Sequence, residues 1–94
     1  MNPQHIEKLE EAQSKNYIDK YEVIEERCVL FHTPTGRKFL YIHFNSTIPE
    51  SEKTTLVDYF TERHKHKASF HVYFTNMLRV ELEPVSETWA NTTN

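Results

Sequence analysis

The first residues of the chain carry apolar positions at helical spacing. Asn2 followed by Pro3 is typical of a helix N-cap and first helical residue, and Asn16 suits the left-handed conformation that ends many helices. The apolar stripe between these limits is thin, and it consists of Ile6, Leu9 and Ala12. We therefore expect a helix that lies on the surface of the domain and is docked by these side chains.

Strand-like patterns follow this helix. Between residues 17 and 24 apolar and charged residues alternate, which predicts a strand that turns near Glu25 and Glu26. The segment from Arg27 to Phe44 contains two further β-rich runs, and these flank Pro34-Thr35-Gly36. A type I turn closed by a glycine bulge fits that tripeptide, because such a hairpin needs a residue with a positive φ.

The predicted hairpin over residues 27–44 is apolar on both of its faces. Its register sets Phe31 opposite Phe39 and Val29 opposite Tyr41 on one face, and Leu30 opposite Leu40 and Cys28 opposite Ile42 on the other. A hairpin with one face in solvent should alternate apolar and polar residues, and this one hardly does. We therefore expect helices on each side, or another molecule, to cover both faces.

A second helix is predicted from Thr47 to His66. Thr47 and Glu50 have the spacing of a capping box, and the last residues of the segment are cationic, which suits the helix dipole. The expected buried stripe consists of Leu56, Val57 and Phe60.

The last apolar segments predict a further hairpin. Residues 70–74 and 78–82 alternate around a loop at residues 75–77, which would set Phe74 opposite Leu78. The outer face would then pair His71 with Glu81 and Tyr73 with Arg79. One long strand bent through Asn76 is the alternative.

These elements predict an α+β domain over residues 1–85. Its antiparallel sheet of about five strands would have the order α-β-β-β-α-β-β, with one well-formed helix packed on it and a thinner N-terminal helix. Residues 86–94 read as a polar tail. Trp89 is unusual in such a tail, which seldom carries tryptophan unless it docks.

Composition narrows the possible chemistry. Gly36 is the only glycine of the 94 residues, so the chain has no P-loop, no dinucleotide-binding glycine motif and no nucleophile elbow. No run approaches the roughly 18 apolar residues of a membrane span, and the N-terminus lacks the apolar segment of a secretory signal. Cys28 is the only cysteine, which excludes an internal disulfide. We expect a cytoplasmic protein without a cofactor or a membrane partner.

Histidines are the residues that most call for a chemical interpretation. His64 and His66 have a spacing that suits a strand or loop, but no further ligands adjoin them, so no metal site is predicted. If His64, His66 and His71 lie close together, their repulsion should weaken folding as the pH falls through ~6.5. A small enzyme with His71 or His43 as its base is a third and weaker hypothesis.

The first functional hypothesis is a non-enzymatic protein-binding module. This composition is typical of small intracellular regulators or inhibitors of larger proteins, including those of phages and mobile elements, and the apolar hairpin also suits a homodimer. The residues expected to bind a partner of unknown identity are Phe31, Phe39, Tyr41, His43, Tyr73 and Trp89.

The second hypothesis is nucleic-acid binding by the basic segment between residues 63 and 79. Its candidate residues are Arg63, Lys65, Lys67, Tyr73 and Arg79, which could hold phosphates and stack a base. The net charge of −3 and the absence of an RNA-binding signature near residues 70–74 make this hypothesis the weaker of the two.

Overall fold

The computed structural model describes residues 1–82 and shows an α+β fold of two layers. In chain order its elements are helix α1 (Pro3–Ser14), strands β1 (Ile18–Arg27) and β2 (Pro34–Phe44), helix α2 (Glu50–Asp58) continuing into a π-helical segment (Tyr59–Arg63), and strands β3 (Lys67–Phe70) and β4 (Met77–Glu81). The strands form one sheet in the order β1-β2-β4-β3, and every neighbouring pair is antiparallel.

Helix α1 confirms the expected N-terminal helix. The Asn2 side chain accepts a hydrogen bond of 2.8 Å from the Gln4 amide, Pro3 occupies the first turn, and Asn16 has a φ of 62° just after the helix. The buried stripe differs from the predicted one in one position, because His5 is buried with Leu9 and Ala12 while Ile6 is half-buried.

The core lies between the two helices and one face of the sheet. Strand β2 contributes its even-numbered residues, and Leu40 and Ile42 are completely buried. The other core residues come from both helices, the π-helical segment, β1 and β4, and include Leu9, Ile18, Leu56, Phe60, Leu78 and Val80. Since this one cluster joins both helices to the same side of β2, the sheet has a helical face and an opposite face, which we call the open face.

The predicted hairpin turn at Pro34-Thr35-Gly36 is wrong. Strand β1 continues through Glu25 and Glu26 to Arg27, residues 28–33 form the connection, and β2 begins at Pro34. The strand predicted just before Pro34 is therefore a connection, and the described residues form four strands where about five were expected, in the order α-β-β-α-β-β.

Strand pairing shows why the longer β1 is favoured. The predicted pairs of residues 28–31 with β2 do not form, and Val23 faces Leu40 while Ile24 faces Phe39. On its other side β2 pairs with β4, where Val80 faces Leu40. A strand between two neighbours has both sides hydrogen-bonded, so Leu40 can be buried without unpaired backbone groups. Pairing of β2 with both neighbours therefore determines where the hairpin turns, although the residues around Gly36 would locally favour a turn there.

Gly36 nevertheless has the conformation that its position was expected to need. Its φ is 87°, within the left-handed region that glycine enters without a steric penalty. Gly36 lies where the pairing of β1 with β2 is irregular. Glu25 pairs with Lys38 and Arg27 pairs with Pro34, so an advance of two residues on β1 corresponds to four residues on β2. The glycine bulge is thus inside a strand and not at the turn.

Helix α2 begins at Glu50, two residues later than an N-cap at Thr47 predicts. The Thr47 amide donates a hydrogen bond of 2.9 Å to the Asn45 side chain, and the Thr47 hydroxyl bonds to the same oxygen. Thr47 is therefore held in a turn before the helix, and Pro49 occupies the N-cap position without a side-chain bond. The helical segment ends at Arg63 rather than His66. Leu56 and Phe60 are buried as expected, whereas Val57 is only half-buried.

The last hairpin forms, but in a different register from the predicted one. Phe70 faces Leu78 and Ala68 faces Val80, so the loop comprises residues 71–76. The predicted pairs of His71 with Glu81 and Tyr73 with Arg79 are wrong, and the bent single strand is also excluded. The shift of four residues keeps the parity of the strand while placing the small Ala68 against the core.

None of the helices within residues 1–82 has both the length and the apolar character that a membrane crossing requires.

Candidate functional site

The β1–β2 hairpin reaches beyond the rest of the sheet, and we call its residues 25–38 the arm. Within residues 1–82, strand β4 pairs with β2 between Phe39 and His43, and a further backbone bond of 2.9 Å runs from the Leu82 amide to the Lys38 carbonyl. Residues 25–33 and 35–38 are all exposed or half-buried. The arm is therefore a two-stranded ribbon, and none of these residues belongs to the buried core.

Three consecutive large apolar side chains lie at the end of the arm, and we call Val29, Leu30 and Phe31 the arm tip. Their exposed fractions are 87%, 82% and 73%. Isolated exposed apolar residues are ordinary on a protein surface, but a contiguous group marks a site of interaction or an aggregation hazard.

Hydrogen bonds hold the backbone of the connection in a defined shape. The Cys28 amide donates to the Thr33 carbonyl at 2.7 Å, and the His32 amide donates to the Cys28 carbonyl at 2.8 Å. Arg27 also donates from its guanidinium to the His32 carbonyl at 3.1 Å. These bonds pair backbone atoms of Cys28, His32 and Thr33 within the loop, and the apolar side chains of the tip face solvent.

Arg37 links the arm to the rest of the sheet. Its guanidinium lies 2.9 Å from a Glu81 carboxylate oxygen on β4 and 3.5 Å from a Glu26 oxygen within the arm. Both pairs are partly exposed, so each contributes at most about 1 kcal/mol. These contacts stabilise the base of the arm. Within residues 1–82, the tip has no comparable contact with the rest of the fold, which we call the body.

The open face presents the odd-numbered residues of β2, three of which were predicted to bind a partner. Phe39 is only 5% exposed, because the guanidinium groups of Arg37 and Arg79 lie 5.1 and 4.8 Å from its ring centre. Tyr41 and His43 are half-buried on the same face, and His43 lies 3.4 Å from a Glu22 carboxylate oxygen. Charged side chains therefore cover much of the aromatic row that was expected to be free.

The remaining predicted partner-binding residues lie apart from this face. Phe31 is at the arm tip, and Tyr73 is 85% exposed in the loop between β3 and β4 at the opposite end of the sheet. Trp89 lies outside the described residues. The structure thus separates the predicted set into the arm tip, the open face and the β3–β4 loop.

The residues predicted to bind nucleic acid do not form one surface. Lys67 and Arg79 share the open face with the carboxylates of Glu22 and Glu81, as the strand registers show. Arg63 instead lies 6.0 Å from the Tyr59 ring at the end of the helical layer. The other members of the set are Lys65, in the connection to β3, and Tyr73, in the loop after it.

A histidine cluster joins α1 to the end of the helical segment. The Nδ1 atom of His5 lies 3.0 Å from the Tyr59 hydroxyl oxygen, and the Nε2 atom of His5 lies 3.3 Å from the Nε2 atom of His66. His66 Nδ1 lies 3.1 Å from the Glu81 carbonyl, and a carbonyl only accepts, so Nδ1 carries the proton. His66 Nε2 then accepts from His5, and His5 Nδ1 accepts from Tyr59. The chain of bonds is complete with both histidines neutral.

The environment of this cluster shifts two pKa values. Burial lowers the pKa of His5, and the nearby His64 and His66 and the N-terminus lower it further. Burial also raises the pKa of the Tyr59 hydroxyl. The Nε2 atom of His64 is buried and has no hydrogen-bond partner within the described residues. His71 is not part of the cluster, because its Nδ1 accepts from the amides of Tyr73 and Phe74 in the β3–β4 loop.

His5 is the member of the cluster that sequence reasoning missed. Its spacing of four residues from Leu9 and seven from Ala12 places it on the buried stripe of α1, so helical periodicity could have identified it. Within residues 1–82 no group of three or more histidine, cysteine, aspartate or glutamate side chains is arranged to hold a metal ion.

Comparisons of the chain with protein-family models, with curated proteins and with solved structures find no match.

Proposed function

We propose that this chain is a small, non-enzymatic protein-binding module that recognises a larger protein through the arm tip. The observation that supports the proposal is the exposure of Val29, Leu30 and Phe31, at 73–87%, on a ribbon that projects from the body. Fully burying such side chains in a partner releases about 1.5–3 kcal/mol each. An arm of this kind suits a regulator or inhibitor that fills a pocket or groove on its target.

Both the composition and the shape of the arm favour binding to a partner. Backbone bonds between Cys28, His32 and Thr33 fix the connection before any partner is present, so less conformational entropy is lost on association. Arg27 donates to the His32 carbonyl, so its charge lies beside the tip and could border the contact. An apolar centre with a polar rim is the usual anatomy of a protein interface, and aromatic residues such as Phe31 are frequent anchors.

The β3–β4 loop is the other exposed apolar segment, and it is a weaker candidate. The rings of Tyr73 and Phe74 lie 6.0 and 5.1 Å from the His71 ring, so the loop packs partly on itself. Phe70 at its start contacts the body through Lys53, whose amine lies 4.9 Å from the ring centre. Among the residues that the structure describes, none of the aromatic or cationic contacts of this kind involves the arm tip.

Nucleic-acid binding is the less favoured function. Single-stranded nucleic acid needs exposed aromatic faces that lie along a basic groove. Tyr73, the aromatic candidate, is exposed in the β3–β4 loop, whereas Lys67 and Arg79 lie on the open face. The open face also alternates bases with the carboxylates of Glu22 and Glu81, which would repel phosphates.

Site-specific cross-linking tests the proposal directly. Phe31 is replaced by the photoreactive residue benzoylphenylalanine in the full chain, and the matched control carries the same replacement at Phe74, which is also exposed. After illumination in an extract of the native source, we expect one dominant cross-linked protein from position 31 and a much lower yield from position 74. Excess wild-type chain should compete, whereas a Leu30→Ser competitor should be far less effective.

The outcomes of this experiment separate the alternatives. Equal yields of the same product from both positions, or no specific product from position 31, would contradict the assignment of the tip. A product containing two copies of this chain would assign the tip to self-association.

A further inference from the structure

The outer edge of β1 is a second surface that is open to a partner. Strand β1 is 10 residues long and pairs with β2 on one side, and within residues 1–82 no strand pairs with its other side. An edge of this length presents a row of backbone donors and acceptors to any strand that can lie beside it. Val23 and Ile24, at its middle, are 45% and 44% exposed.

We propose that two copies of the chain pair through their β1 edges, antiparallel, about a two-fold axis at Val23. In this register Val23 faces its own copy, Lys20 faces Glu26, and Glu22 faces Ile24. Residues that face each other in an antiparallel pair lie on the same side of the sheet, and Lys20 and Glu26 meet this condition on the open face. Each dimer therefore gains the Lys20–Glu26 attraction twice.

The acidic residues of β1 exclude the neighbouring registers. A two-fold axis at Glu22 would place that carboxylate against its own copy and Asp19 against Glu25. An axis at Ile24 would place Glu22 against Glu26 twice. Like charges that face each other across strands are destabilising, so the axis at Val23 avoids the contacts between acids that the axes at Glu22 and Ile24 would create. The charges of β1 therefore favour pairing about Val23 over these two neighbouring registers.

Pairing in this register would also support the arms. Glu25, Glu26 and Arg27, which form the base of the arm, would gain residues 19–21 of the second copy as neighbours. The sheet would continue through both copies with the helices on one face, and the two arm tips would project from opposite ends. This proposal uses a surface that the arm-tip proposal does not, and it does not rest on it.

A charge-exchange experiment tests the register. Lys20→Glu and Glu26→Lys are made in separate full-length chains, and dimer dissociation is measured by sedimentation. Each variant alone faces two like-charged pairs, so its dimer should be weakened roughly tenfold or more. Mixing the two variants restores opposite charges at both pairs, so an equimolar mixture should form a heterodimer about as tight as the wild-type dimer. Loss of the Glu26 contact with Arg37 within one chain cannot produce this rescue.

Oxidative cross-linking provides the geometric control. In a Cys28→Ser background, Val23→Cys places two thiols at the axis, within the ~4.4–6.8 Å between Cα atoms that a disulfide needs. Glu25→Cys on the same side of the sheet is the matched control, because its copies would lie four residues out of register, about 13 Å apart. We expect rapid disulfide formation from Val23→Cys alone.

Several results would overturn the proposal. A wild-type chain that stays monomeric up to near-millimolar concentration has no such dimer. A dimer that withstands both charge variants, or that cross-links equally at residues 23 and 25, uses another surface or register. A dimer abolished by Leu30→Ser with Phe31→Ser but not by the charge variants would be formed by the arm tips instead.

Discussion

The body and the arm are built from the same two strands, yet their apolar residues have opposite fates. In the body Leu40 and Ile42 are completely buried, because two helices cover one side of β2 and strands flank both of its edges. In the arm Leu30 and Phe31 are 82% and 73% exposed, because the covering layer ends before them. Apolar content therefore indicates burial only where another layer is within reach. Where residues 1–82 form no such layer, the same types of side chain stay exposed.

The largest effect is expected from the body. Phe60→Ala removes a ring that is 0% exposed and contacts the rings of Tyr59 and His5, so it should reduce the free energy of unfolding by about 3–5 kcal/mol. Urea titration followed by circular dichroism measures this loss. A loss below 1 kcal/mol would show that the core is not assembled around Phe60 as described.

A smaller effect is expected from the histidine cluster. Because the pKa of His5 is lowered in the folded chain, the unfolded chain binds a proton more readily. The contribution of neutral His5 to the free energy of unfolding is therefore fully present above the pKa of an unfolded histidine, about 6.5. This contribution declines as the pH falls from there towards the lower pKa of folded His5. The positive charge of the N-terminus, which borders the same cavity as His5, also lowers this pKa.

Substitution of His5 is the matched test. The free energy of unfolding is measured between pH 8 and pH 5 for the wild type, for His5→Leu and for the exposed His32→Leu. His5→Leu should flatten the decline below pH 6.5, whereas His32→Leu should leave the slope unchanged. An equal slope in all three chains would contradict a role for His5 in the pH dependence.

Local sequence signals predicted the elements whose structure is decided locally. The Asn2 cap, the Asn16 stop and the burial of Leu56 and Phe60 depend on neighbours within a few residues, and the structure confirms them. The capping box at Thr47 is the exception, because Asn45, only two residues away, binds the threonine first.

Pairing between distant residues decided the elements that were predicted wrongly. The sequence around Gly36 has good turn chemistry, but β1 and β4 bury Leu40 and Ile42 between them, which a hairpin turning at Gly36 would not achieve. Nothing local in residues 17–44 reveals that competition. The register of the last hairpin is wrong for a similar reason, because the contact of Ala68 with the core selects it.

The candidate site could be predicted only in part. Phe31 was named as a partner-binding residue, but on the premise that it paired with Phe39 on a hairpin face. The structure places Phe31 at the end of the arm and Phe39 beneath two guanidinium groups. Both positions follow from where the layers of the fold end, which is a property of the whole chain.

The smallest effect is expected at the arm tip, and it tests the central claim that these residues do not serve the fold. The measurement is the free energy of unfolding of the full chain carrying Leu30→Ser and Phe31→Ser, compared with the wild type and with Leu40→Ala. Exposed side chains away from special features change stability by no more than about 0.5 kcal/mol each, whereas a core leucine costs about 2–5 kcal/mol. We predict that the tip variant unfolds within about 1 kcal/mol of the wild type. A loss as large as that of Leu40→Ala would show that the tip is part of the core, and would contradict the account.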